Sequence, residues 1–120
     1  MKQWRRDNPL KACVHSLVGG AKDRARKNDL PVDRDFMTVP NILALIADDM
    51  RCPCCTVKMV AQVERGRHPH AVSIDRVDND LGYVRGNVAI ICFTCNSRKK
   101  DMSVHDIRLL LRYVEAFRGA

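Results

Sequence analysis

The chain has no long apolar run. Although 46% of its 120 residues are hydrophobic, no stretch reaches the ~18 apolar residues that a membrane-spanning helix needs, so the sequence predicts a soluble protein without a membrane partner. The N-terminus does not read as a secretory signal, because the basic residues 1–6 run into Asp7, Asn8 and Pro9 instead of an apolar segment. The expected setting is therefore the cytoplasm, where thiols stay reduced. Six cysteines there point to metal or catalysis rather than to a disulfide framework. Internal repeats and low-complexity tracts are absent, which excludes solenoid arrays and long linkers. Acidic residues are in deficit. With 14 Asp and Glu against 21 Lys and Arg, the formal charge is +7 and the pI about 9.4, a balance that favours polyanionic partners such as nucleic acid. This length predicts one domain with one modest core.

The pattern that remains is helical at both ends. Asn8 and Pro9 read as an N-cap and a first-turn proline, and Leu10, Val14, Leu17, Ala21 and Ala25 recur at helical spacing, predicting a helix over 9–27. Lys11, Lys22, Arg24, Arg26 and Lys27 fill its other positions, so one face can pack while the other stays positive. The Gly19-Gly20 pair is expected to bend or split it. Residues 28–35, charged and containing Pro31, read as a connector. Thr38 and Pro40 open a second helix with Ile42, Leu43, Ile46 and Met50 as its apolar stripe. Alternation predicts strands over 71–77 and 87–91, joined by turn-forming residues into an antiparallel hairpin. A short helix over 92–100 follows. The last helix, opening at Ser103, is expected to turn Val104, Ile107, Leu110, Leu111, Val114 and Phe117 inward.

Cys52 and Cys55 form one C-x2-C pair and Cys92 and Cys95 another. Two such turns present four thiolates tetrahedrally to zinc. Buried cysteine can also pack as a small hydrophobe, but that accounts for one pair poorly and for two hardly at all. A site with four thiolates leaves no open coordination position, so its zinc is structural and contributes folding free energy. Cys54 adjoins the quartet and can substitute for Cys55, while Cys13 is expected in the core.

Between and beyond the two pairs run Ser73-Ile74-Asp75-Arg76-Val77-Asp78, then Gly82-Tyr83-Val84-Arg85-Gly86-Asn87, a short apolar strand, and Cys95-Asn96-Ser97-Arg98-Lys99-Lys100. This order resembles HNH endonucleases, especially small phage members with an S-x-D-R-x-D signature, and in layout the zinc-braced junction resolvases of the endonuclease VII type. The resemblance spans roughly residues 52–102. It implies an α+β fold in which a small zinc-stabilised ββα-metal core is flanked by N-terminal and C-terminal helices. The single domain would comprise a helical extension over 1–50, knuckles and core over 51–102, and a last helix over 103–120. It also implies a phage-encoded, divalent-metal-dependent phosphodiesterase acting on DNA, with structural Zn2+ and catalytic Mg2+ or Mn2+. By the same resemblance Asp75 and Asn96 are the ligands of the catalytic ion, and Asn87 is the orienting middle letter. Lys99 stands at the N-x-x-K position and, with Arg98, Lys100 and Arg85, is expected to meet phosphates. Individually these residues also read as a strand-end charge, a turn residue, a helix cap and solvated cations; their joint order beside the zinc pairs favours the site. Tyr83 can stack on a base or pack. Many HNH nucleases act as dimers or beside a larger phage protein, so either partner is compatible.

One residue departs from the pattern. Most HNH enzymes carry a histidine after the strand-end aspartate, and it takes a proton from the attacking water; here it is Arg76. Arginine stays protonated, so it cannot be a general base, although it can bind phosphate or stabilise the transition state. Another group can serve as base, with His68, His70 and Asp78 nearest and His70 preferred. Alternatively, metal-bound hydroxide needs little help, or the domain binds without cutting. Retained nuclease activity is the preferred reading. The alternatives are a catalytically inactive zinc-containing nucleic-acid-binding module and a zinc-stapled protein-interaction domain.

Overall fold

The computed structural model describes residues 8–62 and 66–119. Helix α1, Pro9–Lys27, buries Ala12, Cys13, Val14, Val18, Ala21 and Ala25 and ends with Arg24, Arg26 and Lys27 in its last turn, where cations suit the helix dipole. The Gly19-Gly20 pair neither splits nor ends it. Each glycine costs a helix about 1 kcal/mol, and burial of Val18 and Ala21 on either side holds the pair in register. Helix α2 is only Val39–Leu43, capped by Thr38, whose Oγ1 accepts from the Asn41 amide at 3.4 Å. The expected stripe stays intact in packing but only half in helix: Ile42 is buried and Leu43 packs beside it at the helix end, while Ile46 and Met50 lean on the core from beyond it. Asp48 and Asp49 would stand at the negative end of a longer helix, which disfavours its continuation.

Strands β1, Val72–Arg76, and β2, Val88–Cys92, pair antiparallel with Val72 opposite Cys92, Ile74 opposite Ile90 and Arg76 opposite Val88. Helix α3, Phe93–Lys99, begins as β2 ends, completing a strand–strand–helix unit. Both α1 and α3 pack against β1. Its residues 72–75 are therefore buried in succession instead of alternately. The core runs through Val14, Met37, Ile42, Met59 and Ile90.

The loop between the strands explains its own sequence. Asn87 is buried; its Oδ1 accepts from the Asp78 amide at 2.8 Å, and its Nδ2 donates to the carbonyls of Asp78 and Gly82 at 3.0 and 2.9 Å. Gly82 lies against the connector so closely that a Cβ there would stand 2.0 Å from the Pro31 carbonyl oxygen. Tyr83 then pairs with the connector, its amide donating to Pro31 and its carbonyl accepting from Asp33. Gly86 holds a φ of 87°, in the left-handed region that glycine adopts without strain.

Helix α4, Val104–Arg118, carries a reciprocal capping box between Ser103 and Asp106. It corrects one expectation, because none of its residues is buried. The stripe predicted to face inward is open, from Ile107 at 40% to Phe117 at 73% exposure. Asn79 donates to the carbonyls of Lys100 and Met102 at 3.3 and 2.9 Å, pinning the chain just before the helix leaves the body. Among the described residues no helix is long and apolar enough to cross a membrane.

Candidate active site

The four thiols predicted as a quartet meet. The sulfurs of Cys52, Cys55, Cys92 and Cys95 all lie within 4.8 Å of one another, and Cys55 Sγ is 3.7 Å from Cys92 Sγ. Tetrahedral zinc with Zn–S bonds of ~2.3 Å needs sulfurs about 3.8 Å apart, so the cluster can hold such an ion. The chain supplies further fit. Backbone amides of Cys54 and Cys92 donate to Cys52 Sγ at 3.4 and 3.3 Å, and that of Cys95 donates to Cys92 Sγ at 3.4 Å. Burial alone would raise the Cys52 thiol; the amides of residues 55, 92 and 54 outweigh it and bring the pKa down to about 7. Cys92 and Cys95 are pushed up by burial. Cys54 is exposed and outside the quartet, and Cys13 is a buried core thiol whose pKa burial raises.

On β1, beside this clip, Asp75 is 6% exposed. Its Oδ1 takes the Lys99 ammonium at 3.2 Å. Burial nevertheless dominates and raises the carboxyl above its usual value, with Lys99 and then Arg76 pulling the other way. Asn96, in α3, donates through Nδ2 to Ser73 Oγ and to the Ile74 carbonyl, both at 3.1 Å. Ser73 itself donates to the Ile91 carbonyl at 2.8 Å. The serine of the S-x-D-R-x-D pattern thus ties both strands and turns the Asn96 amide so that its oxygen stays free. Among the described residues no buried side-chain polar atom lacks a partner. Asp75 Oδ2 and Asn96 Oδ1, which have none, therefore reach solvent.

Both residues line one cavity of about 500 Å3, whose wall also includes Arg76, Tyr83 and, from α1, Arg24. Arg67 and Lys100 add two more cations against the second carboxylate, Asp101. A pair of oxygen donors in a cationic cavity suits a hard divalent ion together with an anionic ligand. A neighbouring depression shares Arg67, Phe93, Ser97 and Lys100 and adds Arg98.

Other expected site residues lie elsewhere. His70 does not line the cavity: its amide donates to His68 Nδ1 at 3.0 Å, and its carbonyl accepts from Val60, tying it to the first knuckle's strand-like segment before β1 starts. Lys99 is one helical turn beyond Asn96, so its ammonium turns back onto Asp75 and the Arg76 carbonyl, at 2.8 Å from the latter, instead of lining the cavity. Arg85 covers the Phe36 ring at 4.8 Å, at the connector. Arg76 spends Nη1 on the carbonyls of Asn79 and Leu81, at 2.8 and 3.1 Å. Sequence reasoning missed Arg24 and Arg67 as site residues. Ser16, Gly20 and Arg24 share one face of α1 at four-residue spacing, a signal present in the sequence, whereas nothing local marks Arg67.

No protein-family model matches the chain, and no curated protein matches it in sequence. Its fold is similar to that of the rare-cutting HNH restriction endonuclease PacI, a protein described for its mechanism of DNA perturbation. The match has a TM-score of 0.56 and 21% identity and covers 88% of this chain and 80% of that one.

Proposed function

We propose that the chain is a metal-dependent endonuclease of the HNH type that hydrolyses phosphodiester bonds in DNA, with structural zinc in the cysteine quartet. The observation that carries this reading is the placement of Asp75 and Asn96 in the wall of one cationic cavity, each with an oxygen free and each held by neighbours. Those two oxygens would hold Mg2+ or Mn2+. When bound, the ion would stabilise charge on the leaving oxygen and lower the pKa of its own water. Arg76 cannot take a proton, so its part is electrostatic, a fixed cation beside the phosphate. Asn87 holds the loop that presents Tyr83 and whose carbonyls at Asn79 and Leu81 take the Arg76 guanidinium. Lys99 positions the carboxylate, while Lys100 and Arg98 attract the backbone of the nucleic acid. The similarity to an HNH restriction endonuclease favours DNA as substrate.

Incubation with supercoiled plasmid and Mg2+ or Mn2+ tests the proposal. The expected result is nicking that is stopped by EDTA and lost in Asp75→Ala. Arg76 in the usual base position, with no histidine among the described residues of the cavity wall, favours a second reading, a module that binds nucleic acid without cutting it. Salt-sensitive binding with no cleavage under several divalent ions would establish that reading and sink the first.

A further inference from the structure

We propose that Arg24, on α1 and outside the strand–strand–helix unit, is a phosphate-binding residue of the cavity, held ready by Tyr83. The proposal rests on the nuclease reading and deepens it by naming the group that takes the anionic oxygens of the DNA strand. Arg24 lines the same cavity as Asp75 and Asn96. Its Nε donates to the Tyr83 hydroxyl at 3.1 Å, and its guanidinium carbon lies 6.0 Å from that ring's centre. Tyr83 is itself fixed: it is 4% exposed, and its backbone is paired with the connector. Gly20, one turn earlier, leaves room; a Cβ there would come within 3.4 Å of Arg24 Nη1.

The guanidinium is therefore anchored at one nitrogen, and among the described residues its two terminal nitrogens have no hydrogen-bond partner and no carboxylate. That leaves an N–H fork of the shape that grips two phosphate oxygens. Arg76 lies 5.7 Å from the same ring but has committed Nη1 to loop carbonyls. Arg67 rests on Phe93 at 5.4 Å without a hydrogen-bonded anchor. Of these three cavity arginines, Arg24 is the one both oriented and unspent. Anchoring in advance also reduces the rotamer freedom lost on binding.

Binding of a labelled DNA duplex, followed by anisotropy across a series of NaCl concentrations without added divalent ion, tests the assignment alongside plasmid nicking. Arg24→Ala is expected to weaken binding roughly tenfold and to lower the slope of log affinity against log salt by about one phosphate contact, with the melting temperature unchanged. Arg24→Lys should restore the salt slope but not the full affinity. Tyr83→Phe, which keeps the ring and removes the hydroxyl, should weaken binding less than Arg24→Ala and leave the slope intact. A parent that binds and nicks DNA, together with an Arg24→Ala variant of unchanged affinity and slope, would overturn the assignment while sparing the nuclease reading. A lower melting temperature with an unchanged slope would do the same, making Arg24 merely a support for Tyr83. A parent that fails to bind DNA at all would overturn both.

Discussion

At the scale of single residues, the role proposed for Asp75 works against stability. Burial raises its carboxyl pKa even with Lys99 alongside, so the folded chain holds this proton more tightly than the unfolded chain does. The sign follows from linkage: the stabilising contribution is complete below the unfolded pKa and is lost as pH rises through the folded one. At neutral pH the ionised carboxylate is a net cost, which the proposed ion site would explain, since a hard cation needs a charged oxygen. Asp75→Asn is therefore expected to melt higher than the parent at pH 7 without Mg2+ or Mn2+, and the advantage should shrink as pH falls toward the carboxylate range. Added Mn2+ should raise the melting temperature of the parent alone. A variant that melts lower than the parent at pH 7 would show that the Lys99 ion pair outweighs burial. Gly82 bears a different constraint, steric and not electrostatic. Gly82→Ala must push the loop off Pro31 and is expected to cost about 1–3 kcal/mol as overpacking. Gly86→Ala meets open space and loses only the freedom of a positive φ, about 1 kcal/mol. Urea unfolding of the two variants should rank them in that order.

At the scale of elements, hydrophobic spacing and turn residues carried most of the fold. Helix α1 occupies the span its periodicity and Pro9 predict, and both strands lie within a residue of their expected ends. What spacing cannot say is which neighbour covers a stripe. In α2 the apolar positions pack as expected, but the helix stops at Leu43. In α4 the stripe is continuous and uncovered, beyond the point at which Asn79 holds the preceding chain. The same limit applies to the site. Asp75 and Asn96 could be read from a local motif, whereas Arg24 enters through tertiary packing of a helix far along the chain, and Lys99 is turned inward by an ion pair that no spacing reveals. Because α4 buries nothing within its own chain, deleting residues 103–120 is expected to leave the urea midpoint of the remainder unchanged. A fall in the midpoint would mean that the stripe is covered in solution.

At the scale of the whole molecule, two five-residue strands cannot hold a site rigid alone, since an isolated hairpin is marginal in water. The cysteine quartet joins the turn after α2 to the junction of β2 and α3, and with zinc would brace the hairpin at the end from which the helix bearing Asn96 starts. Zinc binding to structural four-ligand sites is worth about 10–16 kcal/mol in apparent free energy, comparable with or above the ~5–15 kcal/mol total stability of a typical domain. The two metal roles should therefore separate cleanly. Brief EDTA treatment that removes a loosely held Mg2+ is expected to stop cleavage, and added Mg2+ to restore it. Stripping zinc with a stronger chelator, or substituting Cys52→Ser or Cys92→Ser, should remove one equivalent of metal and unfold the core. Near-UV circular dichroism should collapse, and Mg2+ alone should not restore it. Zinc-free protein that kept its native near-UV spectrum and still cut DNA with Mg2+ would mean that the hairpin and α3 hold their geometry through packing alone. The quartet would then be dispensable to the site it adjoins.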